Sequence, residues 1–131
     1  MRGGFFISEG EDVFRRCVDV IIQLGGKVLA DAVGDGIAQV QGDSGHLFTA
    51  SEIKSPELAW EYREEPFRPA DGVDLPDMKT VYACAFECRW PDLVSVVAAR
   101  FAEESDVPIW VLDGNGTIWK AESIDPQQIF L

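Results

Sequence analysis

Basic side chains are scarce in this sequence. Eleven lysines and arginines stand against 23 aspartates and glutamates in 131 residues, a formal net charge of −12. A field of that sign repels the phosphates of nucleic acids and the headgroups of anionic membranes, so neither is an expected partner. It fits plain solubility, or a cationic protein partner. Histidine is down to one residue, His46, and cysteine to three, Cys17, Cys84 and Cys88. An odd cysteine count without framework spacing argues against a secreted disulfide scaffold. Cys84 and Cys88 fall four apart on one expected strand, which separates their Cα atoms by roughly 13 Å and puts them beyond disulfide reach. One histidine and a C-x3-C pair on a strand do not make a zinc site, so no metal and no other cofactor is expected. Long apolar runs are missing as well. No stretch approaches the ~18 residues of a membrane span. The start of the chain, Met1 to Glu9, lacks the apolar core and cleavage site of a signal peptide, and the expected location is the cytoplasm.

Catalytic motifs are also absent. Gly42-Asp43-Ser44-Gly45 has the GDSG letters found around the nucleophile of chymotrypsin-like proteases, but His46 sits two residues from Ser44 and the chain is far too short for that fold. A turn built from Gly, Asp and Ser is the ordinary reading. No glycine-rich loop precedes a helix, so nothing cradles a phosphate. Carboxylates abound, but none sits in an evident apolar pocket that would raise its pKa for acid–base work. The chain is therefore expected not to be an enzyme.

What is present is a repeated pattern of strands and helices. The clearest local signal is Asp113-Gly114-Asn115-Gly116 between two apolar runs, a hairpin. Residues Ile37 to Leu58 align on Pro108 to Ile129 without a gap, with identities at Gly45/Gly116, Ala50/Ala121 and Ile53/Ile124. Upstream, Ser8 and Glu11 have the spacing of a capping box, which predicts a helix start there. Val13, Phe14, Cys17, Val18, Ile21 and Ile22 make its apolar stripe, and Gly25-Gly26 ends it. Strands follow over Lys27 to Val33, Ile37 to Gln41 and His46 to Ile53. A short helical turn is expected over Ser55 to Trp60. The run Arg63 to Met78, with Pro66, Pro69 and Pro76, reads as a connection and not a strand. Lys79 to Arg89 alternates like a strand, with Tyr82, Cys84, Phe86 and Cys88 on one face. Pro91 then opens a second helix whose stripe is Leu93, Val94, Val97, Ala98 and Phe101. This strand and helix align with the first pair at their own offset, Phe6 on Phe86 and Asp12 on Asp92. The Gln128 to Leu131 stretch is a candidate last strand.

The expected fold is α+β: a single domain, 1–131, of two tandem βαββ(β) units from an internal duplication. Unit one covers 1–62, the connection 63–78 and unit two 79–131, with a largely antiparallel sheet and two helices. A four-residue turn at Asp113–Gly116 pairs Trp110 with Trp119 and Leu112 with Thr117. Ile109, Val111 and Ile118 then face the core, as do Ala38, Val40 and Leu47 in unit one. The opposite face carries Gln39, Gln41 and His46 in unit one, but Trp110, Leu112 and Trp119 in unit two. Those three residues are either the lid of a second core or a partner-binding patch, since tryptophans dominate binding hot spots. Glu103, Glu104 and Asp106 crowd the end of the second helix, where the macrodipole favours cations. With Asp113 they complete the candidate partner-binding set.

In size, acidity, α+β makeup, tryptophan content and lack of catalytic motifs, the chain resembles the small acidic immunity proteins of bacterial polymorphic-toxin systems. That resemblance implies an inhibitor that binds a cognate toxin domain, often a cationic nuclease, and occludes its active site. Acidic groups would then stand in for substrate phosphates and speed encounter. The two-unit pattern is also similar to that of bleomycin-resistance and glyoxalase-like proteins. This second resemblance implies a metal-free small-ligand binder with a cleft between the units, lined by Tyr82, Phe86 or the tryptophans.

Overall fold

The computed structural model describes residues 2–30, 36–42, 45–53 and 67–131. In chain order these form β1 (Gly3–Ser8), α1 (Val13–Gln23), β2 (Lys27–Ala30), β3 (Gly36–Gln41), β4 (Leu47–Glu52), β5 (Arg68–Pro69), β6 (Tyr82–Glu87), α2 (Pro91–Glu104), β7 (Ile109–Leu112) and β8 (Thr117–Lys120), followed by a 3-10 turn at Ala121–Ser123. Among the described residues one eight-stranded sheet runs in the order β2-β3-β4-β6-β1-β7-β8-β5. Every pairing is antiparallel except β5 with β8. The α+β class with two helices and a largely antiparallel sheet is as expected. The turn at Ser55 to Trp60 and the Asp43-Ser44 pair lie outside the described residues.

The two units interleave. β1 sits between β6 and β7, so the first strand of unit one is enclosed by unit two. The β–α halves match well: β1 and β6 lie antiparallel at the centre, and the rings of Phe6 and Phe86 meet at 5.1 Å. The hairpins do not match. β7 lies directly against β1, whereas β3, its partner in the sequence alignment, is separated from β6 by β4. The aligned strands thus occupy different places in the sheet, and the duplication expected from the sequence is not visible in its topology.

Both helices pack on one face. Their stripes (Val13, Cys17, Val20 and Ile21; Val94, Val97, Ala98 and Phe101) cover Phe6, Phe48, Cys84, Phe86 and Val111. Phe6 is the hub, with ring centroids 6.0 Å from Phe48 and 5.1 Å from Phe101, the latter edge-on. The opposite face holds a second, smaller core of Ile7, Ala83, Trp110, Leu112 and Ile118, roofed by Phe67, Val73, Met78 and Val81. The alternation expected for β6 is observed, with Cys84 and Phe86 in the helix-side core and Ala83 in the other.

Three local expectations need correction. The capping box fails because β1 runs through Ser8, which pairs with both Tyr82 and Ile109. Ser8 is extended and four residues too early; its hydroxyl accepts the Gly10 N–H, and the helix begins after Asp12. Pro91, by contrast, takes the first position of α2 as expected. The 63–78 connection does contribute a strand: β5 hydrogen-bonds β8 through the N–H groups of Arg68 and Ala70. Pro69 lies between them at the sheet edge, where its missing donor costs nothing. Gln128 to Leu131 is not a strand, although Phe130 exchanges hydrogen bonds with Asp113 and Gly114.

Candidate functional site

The β7–β8 turn decides where the tryptophans go. Asp113 N–H donates to the Thr117 carbonyl at 3.0 Å, and Gly116 stands at φ +79°. The loop therefore has three residues, Gly114 to Gly116, with a glycine in the left-handed position that closes such loops. Leu112 pairs with Ile118, Val111 with Trp119 and Trp110 with Lys120. A slip of one residue moves a strand's side chains to opposite faces. Trp119 joins the helix-side core and Ile118 crosses to the other, the reverse of the sequence reading. The β3–β4 hairpin carries the same correction: Val40 pairs with Phe48, so Phe48 takes the core position expected of Leu47, which is exposed.

Both readings left open for these residues placed them on one face; instead Trp110 and Leu112 lie in the second core and Trp119 in the helix-side core. Trp110 retains 5 % of its accessible area and Trp119 8 %. Leu112 is buried beside Trp110. The Trp110 indole donates to the Asp74 carbonyl at 3.0 Å, and the Lys120 ammonium lies 4.6 Å from its ring centroid. Asp113, only 5 % exposed, is an internal hub. One carboxylate oxygen accepts the N–H groups of Asn115 and Thr117; the other accepts the Trp119 indole N–H and the Phe130 N–H. It holds the turn, the helix-side core and the C-terminal segment together. These four residues have no free face to offer a partner.

Glu103, Glu104 and Asp106 are exposed, but two of them have local work. Asp106 pairs with Arg16 of α1, which also holds Asp12 at 2.8 Å. Hydrogen bonds from Arg16 lower the pKa of both carboxylates, and the two acids raise that of Arg16. Arg100 lies 3.9 Å from Glu104. The acids that offend the α2 dipole thus gain partners: Arg16 ties the end of α2 to the start of α1. Glu103 borders an open depression with Asp106, Pro108, Lys120 and Glu122.

The residues that sequence reasoning missed lie at the other end of the helices. His46, closing the β3–β4 turn, stacks on Trp90 at 3.6 Å between centroids and 5° between planes. Trp90 is 38 % exposed, unlike the two core tryptophans. On one side of this stack is a groove of about 360 Å³ formed by Leu24, Val40, Gln41, His46, Leu93 and Val96, with Gly42 and Asp92. Asp92 is the one acidic side chain among its described lining residues. On the far sheet face a second groove of about 380 Å³ mixes Arg2, Arg89 and Glu87 with Leu47, Thr49 and Trp90. A signal existed: Trp90 lies beyond the alternating strand and before Pro91, a place neither stripe can bury.

The remaining reactive groups are shielded. Cys17 and Cys84 are in contact within the helix-side core, a pairing the sequence does not reveal. The Cys17 hydrogen bond, reinforced by burial, pushes the Cys84 thiol well above its usual range. Burial raises Cys88 too. High pKa values keep thiolates, the reactive form, scarce. Among the described residues no cluster of three His, Cys, Asp or Glu side chains could hold a metal, and no helix is long and apolar enough to cross a membrane. Phe86, Trp110 and Trp119 lie in packed cores, so none of them lines a cleft between the units.

Comparison with protein-family models, curated proteins and solved structures finds no match to this chain.

Proposed function

We propose that this chain is a non-catalytic protein-interaction domain, an immunity or inhibitor protein that binds a basic toxin or nuclease and occludes its active site. The observation that supports this most is the partly exposed Trp90 stacked on His46 beside a largely apolar groove whose one acidic side chain among the described residues is Asp92, on a molecule of charge −12. Partially exposed tryptophans next to a groove are the usual anchors of binding energy. The groove's chemistry suits a lysine or arginine of the partner: its aliphatic stem would lie along Leu93 and Val96 and its head would reach Asp92. The overall acidic field would steer a cationic surface toward it. Among the described residues the two carboxylates with displaced pKa values, Asp12 and Asp106, are lowered by Arg16, opposite to what a general acid requires. Of the walls expected for the small-ligand alternative, Phe86 and the β7–β8 tryptophans are buried, and Tyr82 alone is exposed.

The test is capture of the protein encoded beside this one in its genome, measured over a salt series. Binding that weakens steadily from about 50 to 500 mM salt supports the reading, because exposed charge pairs are screened over that range. Binding that ignores salt, or no binding, removes it.

A further inference from the structure

We infer that the groove beside the Trp90–His46 stack is a slot for an arginine side chain that discriminates against lysine, which rests on the reading of this groove as the contact site. Lysine and arginine carry the same charge, and Asp92 attracts both. They differ in the head. A lysine ammonium is a compact, strongly hydrated point charge, whereas the guanidinium is a weakly hydrated plane with N–H donors fixed in a fork. The groove is built for the plane. His46 lines it and Trp90 lines the second groove, so the stack is the wall between the two. The rings lie 3.6 Å apart and 5° from parallel. A flat cation entering the groove meets the half-buried imidazole with the indole behind it, and adds a third layer to the stack. An ammonium has no plane to lay there.

The acceptors suit a fork as well. Asp92 brings two carboxylate oxygens and makes no ion pair with a described base. It stands in the first turn of α2, where the helix dipole favours negative charge. Gln41 brings a further oxygen. Its Nε2 donates to the Gly45 carbonyl at 3.2 Å, and its Oε1 has no donor among the described residues. A forked head can donate to both residues at once, while its stem covers Leu93. Gly42 keeps the slot open. No left-handed φ calls for glycine at this position, yet a Cβ there would stand 3.3 Å from Leu93 Cδ1. A larger side chain at 42 would compete with the stem for that surface.

Titration of the isotope-labelled full chain with N-acetyl-arginine amide and N-acetyl-lysine amide, two singly charged cations, tests this by nuclear magnetic resonance. The arginine amide should shift the Trp90 indole N–H and the Gly42 and His46 amide signals with a dissociation constant of about 1–10 mM, the range for one side chain held by a few contacts. The lysine amide should bind these sites at least about threefold more weakly. In folded variants, His46→Ala should remove the preference, Asp92→Asn should weaken both probes, and Gly42→Val should block both. Equal binding of the two amides, tighter binding of the lysine amide, or no shift of these signals by about 50 mM arginine amide overturns the inference. So does a folded His46→Ala variant that keeps the full preference. Capture of the neighbouring protein by a chain that binds the two amides alike removes the arginine slot and leaves the interaction reading. Arginine preference without a captured protein leaves the slot and removes the toxin partner.

Discussion

Asp113 illustrates how a side chain that looks like surface chemistry can be internal architecture. In sequence it is an acid in a hairpin turn, a natural recruit for a cationic partner. In the fold it accepts four hydrogen bonds, three from its own hairpin and one from Phe130, and is nearly inaccessible. Asp113→Ala leaves the buried Trp119 indole N–H without an acceptor, and the expected loss of stability is about 2–4 kcal/mol. Asp113→Asn should be nearly as damaging, because each carboxylate oxygen faces two N–H donors and the amide nitrogen must oppose one pair. Urea denaturation of both variants is the check; an asparagine variant as stable as wild type would contradict the hub. The tryptophans follow the same logic. Replacing Trp110 or Trp119 by Thr is expected to cost about 3–5 kcal/mol, as for truncation of a large core aromatic. A surface patch would tolerate either change within about 0.5 kcal/mol.

At the scale of elements, periodicity was readable and turn length was not. The stripes of α1 and α2 and the alternation of β6 follow from spacing, because residues that share a face must recur at 3.6 or 2 positions. The faces of β8 and β4 depend on one residue of loop, and Asp113-Gly114-Asn115-Gly116 is compatible with either count. The exchange of Trp119 and Ile118 hangs on that single residue. β5 was hidden because Pro69 argues against a strand wherever its N–H would be needed, and only the edge position excuses it. The Arg16 bridge was hidden too, since Arg16 and Asp106 lie 90 residues apart. That bridge has a pH signature. Asp12 and Asp106 titrate below the ordinary carboxylate range, near 3.9, when folded. Their contribution to stability is therefore complete above about pH 4 and lost as pH falls through the lowered values. Thermal melts of wild type and Arg16→Gln should differ at pH 7 and converge near pH 2. They should also converge in about 1 M salt, which screens exposed pairs. A difference that persists at pH 2 would assign Arg16 a packing role instead.

At the scale of the whole molecule, α+β class was legible from alternating elements, but the interleaving of the two units was not. No local pattern says that β1 will insert between β6 and β7. The 67–81 segment roofs Trp110 and the helices cover Trp119, which decides between the core and the partner surface that the sequence left open for them. The acidity is unaffected by these corrections, and the exposed aromatic anchor moves to Trp90. Acids remote from the groove, such as Glu103, should govern encounter: Glu103→Gln is expected to slow association by less than about threefold and to leave dissociation unchanged. The most direct test of the central claim is the affinity of Trp90→Ala and Asp92→Asn for the captured partner, each confirmed folded by its unfolding curve. Loss of a hot-spot anchor should weaken binding about 30-fold or more for Trp90→Ala, mainly through faster dissociation, with a smaller loss for Asp92→Asn. Wild-type affinity in a folded Trp90→Ala variant would contradict the claim.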